Sequence, residues 1–273
     1  MRPLPVGLVC GALLSASVAA DHPFVLAACA AGSLALLLAA GGPAAPYLWF
    51  AGASAVLVFA VNPFVAVQGL TPLWHGPHVP LLDTEITQEE LAYGAAAALR
   101  IAGSALAVAA FVRLADGDRL LRAVARVAPH SAMIAALGAR LLPTLERDAA
   151  GISLAARGRG MELGLRRNAS ELMAPLLSLS LERSVMLAEA MEARGYGAGP
   201  RTSRPAPPAR RAELALTAIG AALAGLATLL VAGIAPYRYY DLLGDPMTAA
   251  GVASAVAVGA LSALAAGVVR WLR

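Results

Sequence analysis

Apolar residues run along this chain in long unbroken blocks, neither alternating as in a half-buried strand nor keeping to one stripe as in a soluble helix. Six blocks, 4–20, 24–40, 47–67, 91–112, 214–235 and 248–269, meet the length needed to cross a bilayer, about 17 to 25 residues. Only Asp21-His22-Pro23 separates the first two, which predicts a helical hairpin. The first block also has features of a signal peptide, with Arg2 ahead of it and Ser17-Val18-Ala19 at its end. The second block follows with no mature domain between, and this favours a retained span.

The stretch between the fourth and fifth blocks, 113–211, has a different pattern. Residues 117–128 carry Arg119, Arg122 and Arg126 at three- and four-residue spacing, which predicts an amphipathic helix suited to a membrane surface and ended by Pro129. A second helix is expected from about Ser131. A kink or break is expected at Pro143, because an interior proline removes a backbone hydrogen bond. Beyond it Leu141, Leu145, Ala149, Ile152 and Ala156 form one apolar stripe. The third helix is expected over 169–193. There Glu171, Ser178, Glu182 and Glu189 fall on one narrow line and Leu172, Leu176, Leu179, Met186, Leu187 and Met191 cover most of the rest, the pattern of a helix buried on most sides. Pro200, Pro205, Pro207 and Pro208 with four arginines then make an extended linker.

Composition places the chain in a membrane. It is 59% hydrophobic and 14% charged, with a mean hydropathy of +0.70, whereas a soluble domain is about a quarter charged. All 21 basic residues are arginine. Without lysine there is no P-loop lysine to grip phosphate and no Schiff-base or pyridoxal-phosphate lysine, so any ATP must be hydrolysed on another protein. Cys10 and Cys29 are isolated in apolar blocks, with neither metal-site nor disulfide-framework spacing. The net charge of +4 is not the footprint of a nucleic-acid binder, because its distribution follows topology. Segment 113–211 holds 16 arginines against nine acidic residues, whereas 68–90 holds Asp83, Glu85, Glu89 and Glu90 and no arginine. By the positive-inside rule 113–211 is expected in the cytoplasm. Counting spans back and forward from it places both termini on the same side, in a multi-pass protein of the cell membrane. The expected division is therefore 1–112, N-terminal transmembrane helices; 113–211, cytoplasmic helices and linker; and 212–273, C-terminal transmembrane helices.

The two long cytoplasmic helices end alike, in Ala156-Arg157-Gly158-Arg159-Gly160 and Ala193-Arg194-Gly195-Tyr196-Gly197. With 21 arginines and 26 glycines in the chain, chance predicts Arg-Gly-x-Gly well under once. The plain structural reading is a helix cap, with glycine left-handed just past the end and arginine favoured by the helix dipole. A sharper reading starts from Arg194, which projects on the mostly apolar side of its helix and calls for a carboxylate. Guanidinium binds carboxylate in a directed, bidentate way, so two such tips suit grooves on two copies of a partner.

These motifs make the chain similar to the transmembrane T component of energy-coupling factor transporters, the EcfT/CbiQ-like family, whose hallmark is two Ala-Arg-Gly motifs at the ends of cytoplasmic coupling helices. The resemblance runs from about residue 24 to 199. It includes Asn62-Pro63-Phe64, Ile86-Thr87-Gln88-Glu89-Glu90-Leu91, Leu99-Arg100, Leu142-Pro143-Thr144-Leu145-Glu146, Ala174-Pro175-Leu176-Leu177 and Glu189 through Gly197. It implies an all-α polytopic membrane protein with a helical coupling domain. The implied role is a non-catalytic coupling subunit of an ATP-driven importer for vitamins or metal ions such as cobalt. Its implied partners are two cytoplasmic ABC-type ATPase subunits, a membrane substrate-binding (S) subunit and the lipid bilayer. Ala156, Arg157 and Gly158, with Ala193, Arg194 and Gly195, would be the ATPase-docking residues; no catalytic residue, cofactor or metal site is implied in this chain. The sequence departs from the family in offering only Arg2-Pro3 where many members begin with Asp-Pro-Arg. Its closing pair of spans also exceeds the single closing helix of some members.

The alternative is a self-contained channel or secondary transporter, which should carry ionisable groups at the bilayer midplane in two related halves. Arg100 alone meets that description. No acidic residue lies in any span, so Arg100 reads as an internal hydrogen-bond anchor rather than part of a relay. A membrane enzyme is disfavoured, since no nucleophile–base pair, metal spacing or cofactor loop is present. His75 and His78 flank Gly76-Pro77 and are read as loop residues, too few for a metal site. Glu89 and Glu90 are expected to support the start of the fourth helix through its dipole.

Overall fold

The computed structural model describes residues 3–62, 71–75, 85–160, 169–199, 211–233, 235–237, 239 and 247–272. Pro63-Phe64, His78 with Gly76-Pro77, and the linker prolines from Pro200 to Pro208 lie outside the described residues.

Among the described residues each of the six apolar blocks forms a helix, and the protein is an all-α polytopic membrane protein. α1 spans Pro3–Ala19, α2 Pro23–Ala39, α3 Ala45–Val61 and α4 Gln88–Leu114. After α5 (Gly117–Val124), α6 (Pro129–Gly158) and α7 (Ala169–Ala193) come α8 (Arg211–Val231) and α9 (Ala249–Trp271). α4, α8 and α9 are long and apolar enough to cross a membrane, and α1, α2 and α3 are apolar helices of 17 residues. At 1.5 Å per residue those three reach about 25 Å, a few ångströms short of a hydrocarbon core of about 30 Å. One departure from pure helix lies between α3 and α4. Two short antiparallel strands, β1 (Pro72–His75) and β2 (Glu85–Thr87), pair there, too short for a period of two to show in the sequence.

The chain divides into two compact units, Met1–Leu120 with Ala209–Arg273, and Leu121–Pro208. In the first, α1 packs on α8, α4 and α2, α2 packs on α9 and α4, and α3 leans on α4. Its core is small and tight, with Leu13, Leu26, Cys29, Ala40 and Ala265 fully buried. Close approach depends on missing side chains: a Cβ at Gly220 would sit 2.9 Å from Leu8 Cβ and 3.0 Å from the Val9 backbone nitrogen. Such small-residue contacts are how membrane helices gain dispersion energy where lipid removes the hydrophobic drive.

Polar side chains fix this bundle at its turns. Arg100, halfway along α4, donates from Nη2 to the Ala20 carbonyl at 2.7 Å and to Asp21 Oδ1 at 3.1 Å. Both acceptors lie in the α1–α2 turn, so the charge inside the span is answered by an acid between spans. Tyr239 donates to the Asp21 carbonyl at 2.5 Å, and burial pushes its phenol above the ordinary value. At the C-terminal end of α4, Arg113 donates to the carbonyls of Pro43 and Gly41 and lies 5.5 Å over the Tyr47 ring. The start of α4 is a capping box: Thr87 Oγ1 accepts from the Glu90 N–H at 3.3 Å and Glu90 accepts from the Thr87 N–H at 3.0 Å. Glu89 instead accepts from the Thr71 hydroxyl at 2.7 Å.

Candidate functional site

The second unit contains α6 and α7, whose ends carry the repeated motif. α6 runs unbroken from Pro129 through Pro143 to Gly158. Of the kink or break expected at Pro143, the break does not occur, since one missing N–H leaves the bonds on either side to hold the helix. Pro129 occupies the first turn of α6, where its fixed φ suits helix initiation, and α5 ends at Val124, earlier than the sequence reading. The apolar stripe of α6 lies where expected: Ala156 is buried, and Leu141, Leu145, Ala149 and Ile152 are half-buried.

α7 corrects its expectation. Leu172 is buried and Leu176, Ser180, Arg183, Leu187 and Met191 are half-buried, at a spacing that traces one stripe along the helix. The glutamate line lies on the far side from this stripe, as the periodicity requires. The apolar flanks between them are open, with Met173 49%, Leu177 56%, Leu181 66% and Met186 59% exposed. An apolar pattern on most sides identifies surface that something must cover, and among the described residues α6 covers one stripe of it.

Three contacts set the pairing of the two helices. Asp148 accepts from Arg183 Nη1 at 2.6 Å, which holds the Arg183 guanidinium above its ordinary value. The Tyr196 hydroxyl meets Met133 Sδ at 2.9 Å. Near the end of α6, Arg157 joins Leu145, Ala149, Leu172, Met173 and Leu176 around an apolar groove of about 580 Å³. Low numbers on α6 thus meet high numbers on α7, and the helices are antiparallel. The two motifs therefore stand at opposite ends of the pair. Met133, level with the α7 tip, is 24 residues from Arg157, roughly 35 Å of helix rise.

The two tips are built differently in spite of their shared sequence. At α7 the Gly195 N–H bonds to the Glu192 carbonyl at 2.8 Å and the Tyr196 N–H to the Met191 carbonyl at 3.0 Å, with Gly195 at φ +76°. This is a Schellman cap, and Arg194 is the last residue before its left-handed glycine. At α6 the left-handed residue is Gly160, at φ +79°, whose N–H bonds to the Arg157 carbonyl at 2.9 Å. Arg157 and Gly158 are still helical there. Capping thus requires glycine at Gly160 and Gly195, whereas the helix dipole would be served by any basic residue at the two ends. Arg157 and Arg194 are exposed, and among the described residues neither makes an ion pair. Ala156 lies buried beneath one tip while Ala193 is exposed at the other.

No cluster of three or more metal-ligating side chains occurs among the described residues. Apolar helices of this length define a membrane protein. The chain belongs to the CbiQ family of cobalt transport proteins, whose family model matches residues 6–204. That match takes in α1 and ends before α8 and α9, which nevertheless pack directly on α1 and α2. A search of the curated proteins returned no match.

Proposed function

We propose that this protein is the non-catalytic T component of an energy-coupling factor importer for vitamins or metal ions. It would sit in the cell membrane with both termini and segment 113–211 in the cytoplasm. Arg157 and Arg194 each dock into a carboxylate-bearing groove on one of two ABC-type ATPase subunits, flanked by Ala156 and Gly158, and by Ala193 and Gly195. ATP-driven closure of the ATPase pair moves the two tips, and the α6–α7 pair transmits that motion to a membrane S subunit. The open apolar flanks of α7, from Met173 to Met186, are the surface for that partner.

The observation that carries this reading is the placement of two exposed guanidinium groups at opposite ends of one antiparallel helix pair. Two anchors roughly 35 Å apart by helix rise suit two copies of a subunit better than one site on a single partner. The direct test is co-purification in detergent with the candidate ATPases. Truncating one partner of a hydrogen-bonded charge pair weakens binding by about thirtyfold or more, so Arg157→Ala or Arg194→Ala should each deplete the ATPases. The double variant should lose them while the membrane fold is retained. Full retention in the double variant would return both arginines to helix-end residues.

A further inference from the structure

α5 has no part in the coupling reading, yet it is the most sharply two-sided helix in the chain. At 100° per residue Arg119 and Arg122 lie about 60° apart, and Leu120, Leu121 and Val124 fall within about 100° on the opposite side; Arg126 and Val127 follow in the turn that ends the helix, where their N–H groups bond to the Ala123 and Val124 carbonyls. The apolar side is open: Leu120 is 39%, Val124 43% and Val127 89% exposed. Arg119 is held by Asp116 at 3.2 Å, while Arg122 and Arg126 stand exposed.

Position limits what can cover this face. The apolar block of α4 ends at Val112 and α5 begins at Gly117, five residues later, a reach of at most about 17 Å for extended chain. α5 therefore starts within that distance of the hydrocarbon edge. An amphipathic helix there buries its apolar face at the boundary between headgroups and acyl chains and leaves its cations among the headgroups.

We infer that α5 with the turn that follows it is an interfacial lipid-binding segment, with Leu120, Val124 and Val127 in the acyl boundary and Arg122 and Arg126, supported by Arg119, binding anionic phospholipid headgroups. Guanidinium matches the phosphodiester group in charge and geometry. This site is independent of whether the helix tips dock ATPases.

The test uses the full chain in nanodiscs, with Val124→Cys carrying a bimane fluorophore; Cys10 and Cys29 are buried, so the added thiol is the accessible one. Quenching is compared between acyl-brominated phosphatidylglycerol and acyl-brominated phosphatidylcholine at equal mole fraction. Both should quench, with phosphatidylglycerol favoured about fivefold or more, the weight of one basic residue at an anionic surface. Replacing Arg119, Arg122 and Arg126 together by Gln should abolish that preference, and replacing them by Lys should keep it. Absence of quenching by either lipid would overturn the proposal and place protein or water on this face. Equal quenching by both lipids, or a preference that survives the Gln replacements, would also overturn it.

Discussion

The membrane bundle and the α6–α7 pair treat their apolar side chains in opposite ways. In the bundle, helices approach until glycine is required, and the charge at Arg100 is answered by Asp21 and a backbone carbonyl. In the α6–α7 pair, one stripe of α7 is covered, one ion pair and one tyrosine–methionine contact mark the register, and the large side chains between stay open. The bundle closes around its own core, although α3 buries only Ala51 and leaves Trp49 and Phe50 exposed. The pair leaves a broad apolar surface open, and among the described residues its exposed arginines, Arg157 and Arg194 included, make no ion pair.

That contrast can be broken first in the bundle. Gly220→Leu places a branched side chain where even a Cβ would crowd Leu8 and Val9, and overpacking of this kind costs about 1–3 kcal/mol or more. Thermal unfolding in detergent should fall clearly for it. Gly225→Leu, where a Cβ meets nothing within 4 Å, should be close to neutral. Next is Arg100→Ala, which removes bonds to a carboxylate and a carbonyl. Hydrogen bonds to charged groups contribute about 1.5–3 kcal/mol, so the same measurement should show a loss of about that size. The smallest effect belongs to the α6–α7 pair: Asp148→Ala removes a partly exposed ion pair, worth about 0.2–1 kcal/mol. Limited proteolysis should show earlier cleavage within α6 and α7, with the bundle's unfolding temperature unchanged.

The helices of the bundle were legible because hydrophobic length is a direct record of membrane thickness. Their edges were less so, since α4 and α8 begin in polar turns: Gln88-Glu89-Glu90 and Arg211 with Glu213 belong to helices but not to apolar runs. Thr87 and Glu90 have the Thr-x-x-Glu spacing of a capping box, a signal present in the sequence and read there only as a dipole effect. The Asp21 partner of Arg100, 79 residues away in sequence, carries no local signal, and neither does the grip of Arg113 on the Gly41–Pro43 turn. The stripe on α6 was readable from its period. The extent of burial on α7 was not, because periodicity reports which faces need cover and says nothing about which chain supplies it. The Arg-Gly-x-Gly repeat was visible as sequence, but its unequal use became visible only with the left-handed glycines at Gly160 and Gly195.

The most direct test of the two-anchor account is site-specific photo-crosslinking in the assembled transporter. A benzophenone amino acid is placed in turn at Arg159, beside the α6 tip, at Tyr196, beside the α7 tip, and at Leu181 on the open flank of α7. The account predicts that the probes at 159 and 196 each capture an ATPase subunit and that the probe at 181 captures a membrane partner instead. Capture of an ATPase at 181 with none at either tip would contradict it.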